Sequence, residues 1–339
     1  MAFHPTLSKS GRFFFAPLIK FCEFLGNHYP ELLLKLRYRY VFKKRLDLKN
    51  PRDLNEKILW AKLYSDTTRW TELADKRTVR DYVEKIGLGD TLVKLYATWY
   101  KKEEVNFDAL PETFIIKANN GDGKGTNKII RKSELTPEKK AEYIEMIGEW
   151  LSRKNIGALH AEPHYKNMTP CVIAEEVLPL EKGATSLIDY KMWCFNGKCY
   201  YTFVCNERNA NGNSAHVMTY DMDWNAHPEF SVFNSDYLRG DIIPKPKNFD
   251  KMVEIAEKLS KGFPELRVDL YNIDGKIYFG ELTFTSQGGF MDYFTPEFTL
   301  TSRPNRLKSS STVISAALCC AADTSRPRRN GPSMSFFRV

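Results

Sequence analysis

Short runs of β-branched and aromatic residues, separated by turn-forming pairs, recur along the chain and predict strands joined by tight hairpins. In residues 267–289, RVDLYNIDGKIYFGELTFTSQGG, two such runs flank Asn272-Ile273-Asp274-Gly275, so the pattern reads strand, turn, strand. Residues 114–117 predict a strand, followed by a glycine-containing loop and a returning strand at 128–130. Residues 172–174 form a short apolar strand, a strand pair opening at Asp189 turns at Asn196-Gly197, and 216–220 read as a further strand. Helical spacing of apolar positions marks residues 12–25, 74–86, 137–153 and 248–261 instead. Thr136 stands before the third of these as an N-cap, with Glu138 in the first turn.

Three of these segments carry candidate chemistry. Asp269 and Glu281 lie twelve residues apart on the 267–289 hairpin, and they share a face if the loop is odd-numbered or a bulge corrects the register. Mg²⁺ takes hard oxygen ligands and keeps several waters, so two carboxylates beside a nucleotide's phosphates are enough to hold it. Solvated acids on an exposed sheet face are the plainer alternative. The loop after residue 117 contains Gly121, Gly123 and Gly125, whose backbone N–H groups can approach phosphate oxygens closely. Lys117 and Lys124 add compact positive charge there, and Lys191 is a candidate second phosphate contact. Neither a GxxxxGK loop followed by Ser or Thr nor a GxGxxG leading into a helix is present, and a flexible surface turn explains the glycines equally well. Glu175, Glu176, Val177 and Leu178 read as a hinge whose backbone can hydrogen-bond a flat base, with Glu181 in reach of a ribose; ordinary strand-end charge is the alternative.

The order of these pieces resembles the ATP-grasp superfamily: strand lysine and glycine flap, hinge with acids, the Asp189-x-Lys191 hairpin, then Asp269 and Glu281. The phrases FIIKANNGDGKG, IAEEVL, DYKMWCFNGK and GKIYFGELTFTSQGGF are similar to the TupA-like ATP-grasp proteins of bacterial surface-polymer gene clusters, with the resemblance running from about residue 46 to 298. It implies an α+β ATP-grasp fold, with two lobes (106–180 and 181–300) clasping ATP. A helical and mixed region (46–105) and a variable helical lead-in (1–45) precede them. It also implies that Lys117 and the 119–127 loop meet the phosphates, that residues 175–178 frame the adenine with Glu181 at the ribose, and that Asp269 and Glu281 hold Mg²⁺. Thr283 stands where many of these enzymes carry Asn, and a hydroxyl is a weaker metal donor than an amide oxygen.

The activity implied is ATP- and Mg²⁺-dependent joining of a carboxylate to an amine through an acylphosphate, in surface polysaccharide or teichuronopeptide synthesis. The substrates would be small molecules or polymer ends. Arg267 and Arg208 are candidates to hold the substrate carboxylate, because a guanidinium grips two oxygens at once; both could equally be salt-bridge partners. Two other readings stay open: a glycosyltransferase using the Asp221-x-Asp223 pair, and an ATP-binding module without activity.

Composition sets the remaining bounds. A chain of 339 residues with 42% hydrophobic content can bury a large core and favours two or three lobes. No apolar run reaches the length of a membrane span. The net charge is +8, but residues 301–339 hold seven Lys or Arg and one Asp, which leaves +2 for the rest and no reason to expect a nucleic-acid surface. That tail, rich in Ser, Arg and Pro, predicts disorder, and the family resemblance stops before it, which suggests an altered terminus. Seven cysteines without C-x-x-C spacing predict a reducing, cytoplasmic setting. The helix at 12–25 predicts either docking on the protein's own core or peripheral contact with a membrane face. His160 and His164 are spaced for a shared metal, but Pro163 and the lack of a third ligand argue against zinc.

Overall fold

The computed structural model describes residues 9–299, except 122–124, 155, 182–183 and 209–213. The tail at 301–339 therefore lies outside the described residues. The chain begins with helices α1 (Lys9–His28), α2 (Pro30–Phe42) and α3 (Leu54–Tyr64). Pro30 starts α2 with its φ already suited to a helix, and the Asp53 carboxylate caps α3 by accepting the Glu56 N–H at 2.9 Å. Leu25, Leu34, Tyr38 and Leu59 pack together in this corner against Phe290 from the far end of the chain. Two shorter helices follow, α4 (Thr68–Ala74) and α5 (Val79–Lys85); the span 74–86, expected as one helix, is instead the last residue of α4, a turn over 75–78 and α5. Asp75 is the reason: its Oδ1 accepts the N–H groups of Arg77 (2.7 Å) and Thr78 (3.3 Å), a local turn that competes with the helical ladder and separates the two.

The first sheet is antiparallel, with strands β1 (Leu95–Trp99), β2 (Thr113–Ala118), β3 (Asn127–Arg131) and β4 (Val172–Glu175) in the order β1-β4-β2-β3. Burial alternates along β2, with Phe114, Ile116 and Ala118 inside, as a half-buried strand requires. They meet Ile147 and Trp150 of α6 (Pro137–Leu151), which starts where Thr136 accepts the Lys139 N–H at 3.3 Å. The short helix α7 (Pro163–Lys166) precedes β4.

The second sheet has six strands: β5 (Asp189–Phe195), β6 (Lys198–Asn206), β7 (Ala215–Tyr220), β8 (Tyr237–Arg239), β9 (Glu265–Ile273) and β10 (Lys276–Thr283), in the order β10-β9-β5-β6-β7-β8. All neighbours are antiparallel except β7 and β8. The β5–β6 turn puts Asn196 and Gly197 at φ 50° and 75°, and the β9–β10 turn puts Asp274 and Gly275 at 52° and 92°. Two consecutive left-handed residues are what a two-residue hairpin turn needs to match strand twist, which is why Asn-Gly and Asp-Gly stand there. Met252, Ile255, Ala256 and Leu259 of α8 (Phe249–Ser260) cover one face, over Leu266, Val268 and Leu270. On the other face Trp193, Tyr201 and Phe203 pack under Met291, Tyr293 and Phe294, with Phe298 from α9 (Pro296–Thr299). Val79 and Val83 of α5 enter the α8-side core, so this helix is anchored on the second sheet.

Candidate functional site

β9 and β10 are in register with a bulge at Gly280: Phe279 pairs Leu270, but the next pair is Glu281 with Asp269, followed by Thr283 with Arg267. The extra residue switches which side chains of β10 point away from α8. Ile277 and Phe279 precede the bulge on the core face, and Leu282 continues that face after it. Asp269, Glu281, Arg267 and Thr283 thus share the opposite face. A Cβ on residue 280 would lie 2.9 Å from the Asp269 carbonyl oxygen, so glycine fits the close approach that the bulge creates.

Three acids and three bases interlock on this face. Arg267 grips Asp269 with two nitrogens (2.6 and 2.7 Å), reaches Glu281 Oε1 at 3.2 Å and donates to Ser286 Oγ at 3.1 Å. Lys191 Nζ lies 2.6 Å from Asp269 Oδ2 and 3.7 Å from Asp189. Arg208, the third base, bonds Asp189 through Nε at 3.2 Å and also through Nη2. The Thr283 hydroxyl donates to Glu281 Oε1 at 3.4 Å. Burial alone would raise the Asp269 carboxyl, but Arg267 and Lys191 outweigh it and hold it at about 2. Burial would likewise lower Lys191, yet Asp189 and Asp269 keep it above its ordinary value. Both oxygens of Asp269 are therefore engaged by cations, whereas the Glu281 side chain is 42% exposed. The oxygens have the chemistry that a hard divalent ion needs, and an ion there would replace bonds that Arg267 and Lys191 now make.

The first sheet supplies a second cluster. Lys117 Nζ, at the end of β2, lies 2.8 Å from Glu175 Oε2 at the end of β4, and Arg80 of α5 holds Glu175 Oε1 at 2.8 Å. Since Val79 and Val83 of α5 pack into the core of the second sheet, Arg80 links that core to the end of β4 in the first sheet. The loop after β2 is pinned at its base: the Asn119 amide donates to Asp75 at 2.6 Å, and Lys76 Nζ donates to the Gly121 carbonyl at 2.7 Å. A Cβ on Gly121 would sit 2.2 Å from Thr126 Oγ1. Gly125 is exposed at φ 74°; Gly123 and Lys124 lie outside the described residues.

After Glu175 the chain leaves the sheet. The Glu176 N–H is taken by the Lys94 carbonyl at 2.9 Å, Val177 is half-buried and Leu178 is buried. Glu181 accepts the Asp274 N–H at 3.2 Å and lines a small cavity with Ser186, Ile188, Tyr271 and Ile273.

Arg80, Asp75, Lys76 and Asn119 have no assigned role in the sequence reading, and neither does Lys62. Lys62, on α3, donates to the carbonyls of Gly288 and His160, both at 2.7 Å, and thereby ties the loop after β10 to the 158–160 turn. In that loop Gln287, Gly288 and Gly289 all have positive φ. Burial pushes the Lys62 ammonium down to about 7. An isolated lysine carries no local pattern that tells a buried position from an exposed one, so no signal marked it. His160 meets Arg37 at 2.8 Å, while His164 is buried beside Trp70 and burial drives it down to about 3. No group of three or more His, Cys, Asp or Glu suited to a metal occurs among the described residues. Asp221 closes its own turn, accepting from the N–H groups of Asp223 (3.0 Å) and Asn225 (2.8 Å) and from the Asn225 amide (2.9 Å).

The TupA-like ATPgrasp family matches residues 56–301, most of the chain and both sheets. The chain belongs to this family. Its α+β architecture of helices and two sheets is accordingly an ATP-grasp fold. Among curated proteins, none matches the sequence. Among solved structures, a D-alanine–D-alanine ligase from Bacillus anthracis complexed with ATP aligns at 14% identity and a TM-score of 0.38, over 65% of this chain and 56% of that one. An L-amino acid ligase from Bacillus licheniformis aligns at 12% identity and a TM-score of 0.44, over 86% of this chain and 62% of that one. The ATP-grasp protein thus spans less than two thirds of either.

Proposed function

We propose that this ATP-grasp protein is an ATP- and Mg²⁺-dependent ligase that joins a carboxylate to an amine through an acylphosphate. The observation that carries the reading is the charge-balanced face of β9, β10 and β5. Asp189, Asp269 and Glu281 alternate there with Lys191, Arg208 and Arg267, and Lys117 and Arg80 stand at the end of the neighbouring sheet. Such a set can divide its partners, the acids turning to a divalent ion and the bases to phosphate and carboxylate oxygens. Glu281 and Asp269 would hold the ion, with the Thr283 hydroxyl beside them. When bound, Mg²⁺ supplies neutralisation of the charge on the transferring phosphoryl group.

The chain's own residues do the positioning. Lys117 turns from Glu175 to a phosphate, while Glu175 keeps its contact with Arg80. Val177 and Leu178 face the base, since the Glu176 N–H is already bonded, and Glu181 meets the ribose. Arg208, at 36% exposure the more accessible of the two candidate arginines, holds the substrate carboxylate. One carboxylate oxygen attacks the γ-phosphorus and ADP leaves. The amine nitrogen then attacks the acyl carbon, phosphate leaves, and the nitrogen loses a proton. Aligned groups in a site of low dielectric supply the rate. The resemblance to surface-polymer proteins points to a uronic acid, an amino acid or a polymer end as carboxylate donor.

ADP release is measured with Mg²⁺-ATP across pairs of uronic or amino acids and amines, for the natural protein and for Glu281→Gln. Release that needs both substrates and falls at least a hundredfold in the variant is expected. Release unaffected by Glu281→Gln would overturn the metal assignment, and turnover of a UDP-sugar without ATP would overturn the ligase reading.

A further inference from the structure

α1 and α2 present an apolar surface that the fold does not cover. Leu18, Phe21, Phe24, Tyr29, Leu32, Leu36 and Tyr40 are each between 41% and 56% exposed, all within 23 residues of sequence. On α2 the arrangement is regular. Leu32, Leu36 and Tyr40 recur every fourth residue as one outward stripe, Glu31, Lys35 and Arg39 form the stripe beside it, and Leu33, Leu34 and Tyr38 face the core. On α1, Leu18, Phe21 and Phe24 are outward while Leu25 is buried. The Phe24 and Tyr29 rings lie 6.0 Å apart, which joins the two outward sets at the corner between the helices.

Charge follows the same division. Residues 1–45 hold nine Lys or Arg and two Glu, a net of +7, whereas residues 46–300 hold 34 Lys or Arg against 39 Asp or Glu, a net of −5. The +2 of the first 300 residues therefore conceals a basic helical pair on an acidic body. Lys43 extends over the Tyr40 ring at 4.8 Å, placing positive charge at the edge of the apolar stripe.

We propose that α1 and α2 form a docking surface for an anionic lipid bilayer, lying in the headgroup plane with the apolar stripes turned inward. Helices with apolar side chains on one face and Lys and Arg at its border bind such interfaces through buried area and electrostatic attraction together. The other occupants fit less well. The 301–339 tail is itself +6, and a symmetric contact with a second copy would set +7 against +7. Neither helix is long and apolar enough to cross a membrane. The surface is tied to the loop after β10: Arg37 of α2 donates to the Leu159 carbonyl at 3.0 Å and stacks 4.6 Å from the Phe290 ring centre. The proposal does not depend on the ligase reading, since its test measures binding and not turnover.

The full chain is sedimented with phosphatidylcholine vesicles, with and without phosphatidylglycerol, at low and high salt. Binding is expected only with phosphatidylglycerol, weakening with salt. Phe21→Ser and Leu36→Ser, both exposed, should each reduce it about tenfold with unchanged thermal midpoints. Lys35→Glu with Arg39→Glu should abolish it. Absent binding, equal binding to neutral vesicles, or binding that survives the apolar substitutions and so belongs to the basic tail would each overturn the proposal. So would a concentration-dependent dimer dissolved by Leu36→Ser, which would identify a second copy as the occupant.

Discussion

Lys117 Nζ and Glu175 Oε2 lie 2.8 Å apart, and the other Glu175 oxygen is held at the same distance by Arg80. The acid can therefore release Lys117 without being left alone in the interior, which is what a lysine that moves to a phosphate requires. Lys117→Ala should cost about 1 kcal/mol or less, because Lys117 is partly exposed and its partner keeps Arg80. It should also remove the thermal stabilisation by Mg²⁺-ATP. Glu175→Ala strands a buried guanidinium and should cost about 3–5 kcal/mol. Thermal unfolding of both variants with and without nucleotide checks the pair; a retained ATP shift in Lys117→Ala would remove the lysine from the site.

The bulge at Gly280 decides which face Glu281 occupies. Gly280→Val sets a branched side chain against the Asp269 carbonyl, and the crowding should cost about 1–3 kcal/mol. Displacing Glu281 from Asp269 should also weaken Mg²⁺-dependent nucleotide stabilisation. Lys276→Ala, an exposed change on the same strand, should leave it alone. The comparison is made by titrating Mg²⁺ at fixed ATP and following the melting temperature.

How far the sequence revealed the site depends on the range of each interaction. The hairpins at Asn196-Gly197 and Asp274-Gly275 were legible because their turn residues answer a local backbone demand. The shared face of Asp269 and Glu281 followed only on condition of a bulge, since spacing constrains register without placing an extra residue. The break between α4 and α5 was missed because Asp75 overrides helical periodicity with its own hydrogen bonds. Arg80 and Lys62 were missed because their partners lie 95 and 226 residues away, and no local pattern encodes such a pairing. Asp221-x-Asp223, a legible motif, is occupied by its own turn.

Asp269 should make the protein acid-sensitive in a defined window. Its carboxyl is held at about 2, below the unfolded value of about 3.9, so its contribution is complete above about pH 4 and lost as pH falls toward 2. Asp269→Asn should be less stable by about 3–5 kcal/mol at neutral pH, since Arg267 and Lys191 lose their shared partner. The gap should narrow between about pH 4 and pH 2, where the natural protein also carries an uncharged group at this position. Urea unfolding of both proteins across that range checks the sign; a gap that widens in acid would refute it.

Lys62 predicts a slope of the same sign in a second window, on the alkaline side. Its ammonium is pushed down to about 7 by burial, while the unfolded chain holds that proton to about pH 10, so above neutrality the unfolded state binds more protons and folding gains stability as pH rises. A neutral amine still has N–H bonds for the carbonyls of His160 and Gly288, so the loop after β10 stays tied when the charge is lost. Lys62→Met removes both the titration and the two hydrogen bonds. It leaves two carbonyls short of a donor, at about 1–3 kcal/mol each at most. The stability difference between natural and variant protein should therefore move in favour of the natural one from pH 7 to about pH 10. Buried tyrosines and cysteines, which titrate in the same range, are common to both proteins and drop out of that difference. Chemical unfolding at closely spaced pH values measures it directly. A difference independent of pH would mean that Lys62 stays charged in the fold and acts as a fixed cation between α3 and the loop.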